Sequence, residues 1–235
     1  MRYLSVAVHP DDETLGCGGT LLRQRAEGDE IDWLLVTRAG DSDYASAVVA
    51  RQQAVVESVR RAYGFREVEW LAIPTTRLGE LPRRDIVGAL AGAIRRLRPD
   101  VVLGPFRHDV HSDHRVVAEA LGSALKAFCL AELGVRKVLE CETLSETDSN
   151  GYGPVGFRPS LFWDVSPFLE RKLEILSLYE AELQQGLRPR TLEAVRAQAR
   201  LRGATVAVKY AEAFAPVWEV VPVASETTPS STSDR

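Results

Sequence analysis

The chain is poor in histidine, with 4 in 235 residues, and poorer still in cysteine, with 3. Cys17, Cys129 and Cys141 are an odd number at no metal-like spacing. That excludes a disulfide-built fold and a thiolate zinc site, and it points to a reducing, cytoplasmic setting. No apolar run approaches the ~20 residues of a membrane helix. Met1-Arg2-Tyr3 runs directly into an apolar segment rather than a signal peptide, so no membrane partner is expected. Long basic blocks are missing too. The net charge is −4, and nucleic acid is not an expected partner. What remains is ordinary: 45% hydrophobic and 26% charged residues, enough for a sizeable core within one α/β domain.

The few histidines are not scattered. His108, His111 and His114 all fall in the stretch 108–114, HDVHSDH, just after the apolar run Val101-Val102-Leu103. The fourth, His9, opens HPDDETLGCGGT at 9–20, directly after Tyr3-Leu4-Ser5-Val6-Ala7-Val8. Each apolar run reads as a buried strand that ends in a polar turn. In an open α/β sheet both turns then face the crevice at the strands' carboxyl ends, where ligands bind. His9, Asp11, Asp12 and Glu13 are costly to crowd there without a positive partner, and a divalent metal is the simplest one. His111 and His114 stand three apart, a spacing that puts both on one face of a helical first turn. His9, Asp12 and His114 form a two-His, one-carboxylate set that leaves a coordination position open, the pattern of catalytic zinc. Asp11, beside Asp12 but turned elsewhere, is the choice of general base.

HPDDE followed by GCGGT after the first strand, and HSDH after a later one, resemble the LmbE/PIG-L family of zinc-dependent N-deacetylases. The resemblance covers about residues 3–215 in layout, and its specificity lies in the two motifs. It implies hydrolysis of the N-acetyl group of an amino sugar or sugar conjugate, with one Zn2+ per chain. His9, Asp12 and His114 match the family's ligands and Asp11 its base. His111 matches the residue that stabilises the oxyanion, and Asp113 the carboxylate that orients and charges that histidine. Relatives often form homo-oligomers. Substrate contacts are expected from Glu13, Arg51, Arg107, His108, Tyr152 and Glu212, with Phe157 beside Tyr152 in the turn-rich loop 145–160. Three of them have a plainer reading. Glu13 serves equally as a salt-bridge partner, Arg51 as a solvated helix arginine, and His108 as a rim residue paired with Asp109.

The remaining pattern predicts a Rossmann-like three-layer α/β/α fold with a mostly parallel sheet. Strands are expected at Glu30–Thr37, Glu67–Leu71, Val101–Leu103, Val135–Thr143 and Leu161–Val165. Helices are expected at Ala45–Tyr63, Pro82–Leu97, Asp113–Leu130, Pro167–Leu183 and Leu192–Arg202, and Val206–Phe214 is expected to end near the site. Residues 1–224 read as one domain, and 225–235 have the composition of a disordered tail. Two other classes compete. A dinucleotide enzyme is disfavoured because Leu21 stands where the third glycine of GxGxxG belongs, and Asp11 and Asp12 would repel a pyrophosphate. A non-catalytic sugar-binding module is disfavoured because the base and all three ligands are kept. A zinc amidase acting on a non-sugar amide remains a milder alternative.

Overall fold

Alternate residues of the central strands are buried on both sides, so the sheet must be covered on both faces. In β2 (Glu30–Arg38), Ile31, Trp33 and Leu35 enter one core, and Leu34 and Val36 enter the other. In β1 (Arg2–Ala7), Tyr3 and Ala7 go one way, and Leu4 and Val6 go the other. The structure, a computed structural model, describes residues 1–40, 44–149 and 155–221. Its seven-stranded sheet has the order β3-β2-β1-β4-β5-β7-β6. The remaining strands are β3 (Val68–Pro74), β4 (Val101–Pro105), β5 (Lys137–Cys141), β6 (Leu161–Asp164) and β7 (Ala211–Glu219). β3, β2, β1, β4 and β5 are parallel, and β7 runs antiparallel between β5 and β6.

One core joins this sheet to α1 (Asp12–Ala26), α2 (Ser46–Tyr63), α6 (Leu169–Leu176) and α7 (Leu192–Thr205). The other joins it to α3 (Arg83–Leu97), α4 (Ser112–Ala124) and α5 (Ala127–Leu133). This is the three-layer, mostly parallel α/β/α arrangement expected from sequence. The strand order reverses between β1 and β4, which are adjacent. The loops leaving those two strands therefore open one crevice, and they carry His9 and His108–His114.

Three elements differ from expectation. The helix expected over 113–130 breaks into α4 and α5, with Lys126 in an extended conformation between them. The helix expected over 167–183 stops at Leu176, and its chain turns through Ser177–Tyr179 instead. The last element, expected over 206–214, is a strand shifted to Ala211–Glu219. The tail at 225–235 lies outside the described residues.

α1 itself is interrupted. Cys17 sits at φ −146°, ψ 16°, outside helical geometry. The break frees the amides of Gly19 and Thr20, which donate to the two carboxylate oxygens of Glu212 at 2.8 and 2.7 Å. Lys172 Nζ balances that charge at 2.7 Å and also donates to the Leu15 carbonyl at 2.9 Å. Gly19 is required for this close approach: a Cβ there would lie 2.9 Å from Val165 Cβ.

Candidate metal centre and active site

β1 delivers His9 to the crevice, and α1 begins three residues later. Its first turn presents Asp12, whose Oδ2 accepts the His9 amide at 2.7 Å. β4 delivers the second loop, and α4 opens with His111 as its N-cap, the ring Nδ1 accepting the Asp113 amide at 3.1 Å. One turn on, His114 points back toward Asp12, with Nε2 3.2 Å from Asp12 Oδ2. Possible ligand atoms of His9, Asp12 and His114 lie within 4.8 Å of one another. A second group, His9, His111 and Asp113, meets the same limit.

The first group carries orphaned ligand atoms on two of its three residues, the second on one. Asp12 Oδ1 and His114 Nε2 are buried without a hydrogen-bond partner among the described residues. Such orphans are costly unless something joins them. Asp113 Oδ1 is orphaned too, but its Oδ2 accepts the Thr76 amide at 2.7 Å and lies 3.4 Å from His9 Nε2. The donor set of two imidazoles and one carboxylate, common to both groups, suits zinc and related divalent ions.

The electrostatics are those of opposite charges crowded together. Burial opposes ionisation of Asp12, but the rings of His114 and His9 outweigh it and hold its carboxyl well below the usual range. Burial likewise opposes a charged His114, yet Asp12 and Asp109 push it up to about 10. Asp11 shifts the other way. Burial, then the charge on Asp12, raises its carboxyl well above the usual value, and Arg190 opposes this. Burial, then His9 and His114, lowers the pKa of His111.

Asp11 and His111 line one cleft of about 260 Å3, with His9, Pro10, Thr37, Gln52, Thr76 and Arg190 among its walls. The His9 and His111 rings meet edge-on, their centroids 4.5 Å apart. A smaller cleft adjoins it, sharing Pro10, Val48, Gln52 and Glu182 and reaching Arg51.

Several sequence expectations are corrected by these positions. The Asp113 carboxylate does not hydrogen-bond His111; it turns to His9 and Thr76, and only its backbone amide meets the His111 ring. Asp109 is the partner of His114 rather than of His108: its Oδ2 lies 2.8 Å from His114 Nδ1, and its Oδ1 accepts the Thr147 hydroxyl at 2.7 Å. Glu13 is buried and does not line the cleft. It accepts hydroxyls from Thr14 and Tyr179 and the Asp11 amide, and burial pushes its carboxyl up to about 7. Glu212 is the helix-capping carboxylate described above and does not line the main cleft. Arg107 pairs with Glu140 at 2.7 Å and borders a separate small cavity against α4. His108 stands edge-on to Phe106, as does Phe157. Arg51 pairs with Glu180 at 2.9 Å on the exposed rim of the smaller cleft. Tyr152 lies outside the described residues.

The sequence reading missed Arg190. Its Nη1 lies 3.2 Å from Asp11 Oδ2, its Nη2 2.6 Å from Glu146 Oε1, and its Nε donates to the Ser145 hydroxyl at 2.7 Å. No local pattern marks it, because it sits on an irregular segment 179 residues from Asp11. Asp109 did carry a signal: it lies five residues before His114, inside the same motif.

A parallel sheet with an acid- and histidine-lined crevice at its switch point defines a class of α/β enzymes rather than one activity. Comparison narrows it. A family profile described as GlcNAc-PI de-N-acetylase (PIG-L) matches residues 4–125, more than half of the chain and both motifs. The chain belongs to the PIG-L family of deacetylases. Over 197 residues it is 26% identical to diacetylchitobiose deacetylase of Thermococcus kodakarensis, covering 78% of this chain and 71% of that one. It is 27% identical to 1D-myo-inositol 2-acetamido-2-deoxy-alpha-D-glucopyranoside deacetylase of Rhodococcus jostii, covering 67% of each. The crystal structure of a conserved protein from Thermus thermophilus superposes with a TM-score of 0.74 at 29% identity, covering 94% of this chain and 96% of that one.

Proposed function

We propose that the chain is a metal-dependent hydrolase that removes the N-acetyl group from an N-acetylglucosamine-containing sugar. The observation that carries this reading is the placement of Asp11 and His111 on one cleft beside a cradle with orphaned buried ligand atoms. The named activities of the two curated relatives supply the substrate class.

His9, Asp12 and His114 would hold a divalent cation, zinc by donor type. When bound, such an ion supplies Lewis-acid chemistry, polarising a carbonyl and making water more acidic. The chain's own residues do the rest. Asp11 takes the proton of the water that attacks the amide carbon, then returns it to the leaving amine. Arg190 holds the Asp11 carboxylate toward the cleft. His111 faces the oxygen on which negative charge develops. Asp109 fixes the ring of His114 through Nδ1, leaving Nε2 for the cation. Asp113 does the same for His9 through Nε2 and is itself held by the Thr76 amide. The products are acetate and a free amine.

No helix among the described residues is long and apolar enough to cross a membrane. The three free cysteines, two of them buried, support a cytoplasmic setting. The test is acetate release from a panel of N-acetylglucosamine derivatives, with metal content read on the same sample. Release that stops on chelation and returns with zinc supports the reading. Metal bound with no release from any sugar refutes the substrate class and directs the search to other amides.

A further inference from the structure

Asp11 holds a backbone conformation that residues with side chains rarely adopt, with φ at 123°. Strain of this kind persists only where neighbours impose it. Its carbonyl is engaged by the start of α1, accepting the amides of Thr14 at 3.0 Å and Leu15 at 2.8 Å. Its amide donates to Glu13 Oε2 at 3.3 Å. This resembles a capping box, in which an acidic side chain of the first turn reaches back to the N-cap amide.

An ordinary capping carboxylate sits in water. Glu13 is 1% exposed, and its second oxygen accepts two hydroxyls: Tyr179 at 2.8 Å and Thr14 at 2.5 Å. Tyr63 in turn donates to the Thr14 hydroxyl at 3.0 Å. Thr14, Tyr63 and Tyr179 are all buried. A buried carboxylate met by hydroxyls and an amide, with no cation bonded to it among the described residues, is more than helix capping requires. Tyr179 reaches it from the irregular segment after α6 and, with Glu180 and Glu182, borders the smaller cleft.

We propose that Tyr179 and Glu13 are positioning residues for the deacetylation: the Tyr179 phenol fixes the Glu13 carboxylate, and that carboxylate holds the strained Asp11 peptide so that its side chain faces the cleft. The proposal rests on the reading of Asp11 as the base. Neither residue lines the main cleft, though Tyr179 borders the adjoining smaller one, and both are buried. Misplacing a catalytic group by about 1 Å costs on the order of 100-fold in rate.

Tyr179→Phe keeps the ring and its packing and removes only the hydroxyl. The expected result is a kcat lower by roughly 10- to 100-fold with KM within about 2-fold of wild type. Metal content is expected to stay at the wild-type value, and the melting temperature to fall no further than the loss of one buried hydrogen bond requires. Amide hydrogen exchange of the peptide containing Asp11 is expected to speed up, because the acceptor of that amide has been loosened. Glu13→Gln, which keeps an acceptor for the Asp11 amide, is expected to retain more kcat than Glu13→Ala. Wild-type kcat in Tyr179→Phe with unchanged exchange overturns the proposal. A loss of kcat that comes with loss of metal also overturns it, since that marks a merely structural role. If the wild-type chain hydrolyses no amide, the deacetylase reading fails, and the exchange measurement alone decides the positioning claim.

Discussion

Asp109 gives a sharp test of how the cradle is built. It is fully buried, with one oxygen 2.8 Å from His114 Nδ1 and the other accepting the Thr147 hydroxyl at 2.7 Å. With Nδ1 held by the carboxylate, Nε2 is the ring nitrogen left for a cation beside Asp12. Asp109→Ala removes that control, and Asp109→Asn keeps the shape but not the charge. Losing such an outer partner typically costs 10- to 100-fold in metal affinity, or about 1.4 to 2.8 kcal/mol. In Asp109→Ala two buried groups also lose their partner, at a cost of about 1 to 3 kcal/mol in stability, so the melting temperature must be followed alongside. The assay is competition for zinc against a chelating dye, on protein shown to be folded. The expected order of affinity is wild type, then Asp109→Asn, then Asp109→Ala. Asp109→Ala binding zinc at the wild-type Kd would refute the argument that His114 is a ligand tuned through Nδ1.

Two further outcomes follow from groups outside the cradle. Glu212→Ala strands Lys172, which is 1% exposed, and leaves the amides of Gly19 and Thr20 unpaired. Breaking a buried pair of this kind is expected to cost about 3 to 5 kcal/mol in urea unfolding, with KM unchanged in whatever protein remains folded. An unchanged unfolding midpoint with a raised KM would restore Glu212 as a sugar contact. Tyr3 is raised from 10.0 to about 12, chiefly by burial and then by Asp29 and Glu27. Folding therefore favours the protonated phenol, and its contribution is fully present below pH 10 and lost as pH rises toward 12. Tyr3→Phe is expected to lose less stability than wild type between pH 8 and pH 11 in urea titrations; equal losses would show that the shift is absent.

The cradle was legible because its residues fall in two short sequence clusters, each of which follows an apolar run. A strand's carboxyl end and a helix's first turn are local features, and the switch point of a parallel sheet brings two of them together. What could not be read depends on contacts between distant segments. Arg190 and Tyr179 reach the site from the irregular stretch after α6, where the apolar spacing Leu169, Leu173, Leu176, Tyr179 suggested more helix. Periodicity carried on there, but the chain turned at Ser177. Glu212 looked like a pocket acid because nothing in its neighbourhood reveals Lys172 or the kink at Cys17 that needs its carboxylate. Asp109 was matched to the adjacent His108, although the geometry of an α4 N-terminus pairs it with His114. Asp113 was assigned to His111 by analogy, whereas the turn at Thr76 pulls its carboxylate toward His9.

The most direct test of the central claim compares wild type, Asp11→Ala and His114→Ala, measuring metal content and acetate release on the same zinc-equilibrated samples. The account predicts about one metal per chain and steady release for wild type, metal without release for Asp11→Ala, and neither for His114→Ala. Full activity in Asp11→Ala would contradict the assigned base. Undiminished release from metal-free wild type would contradict the metal centre itself.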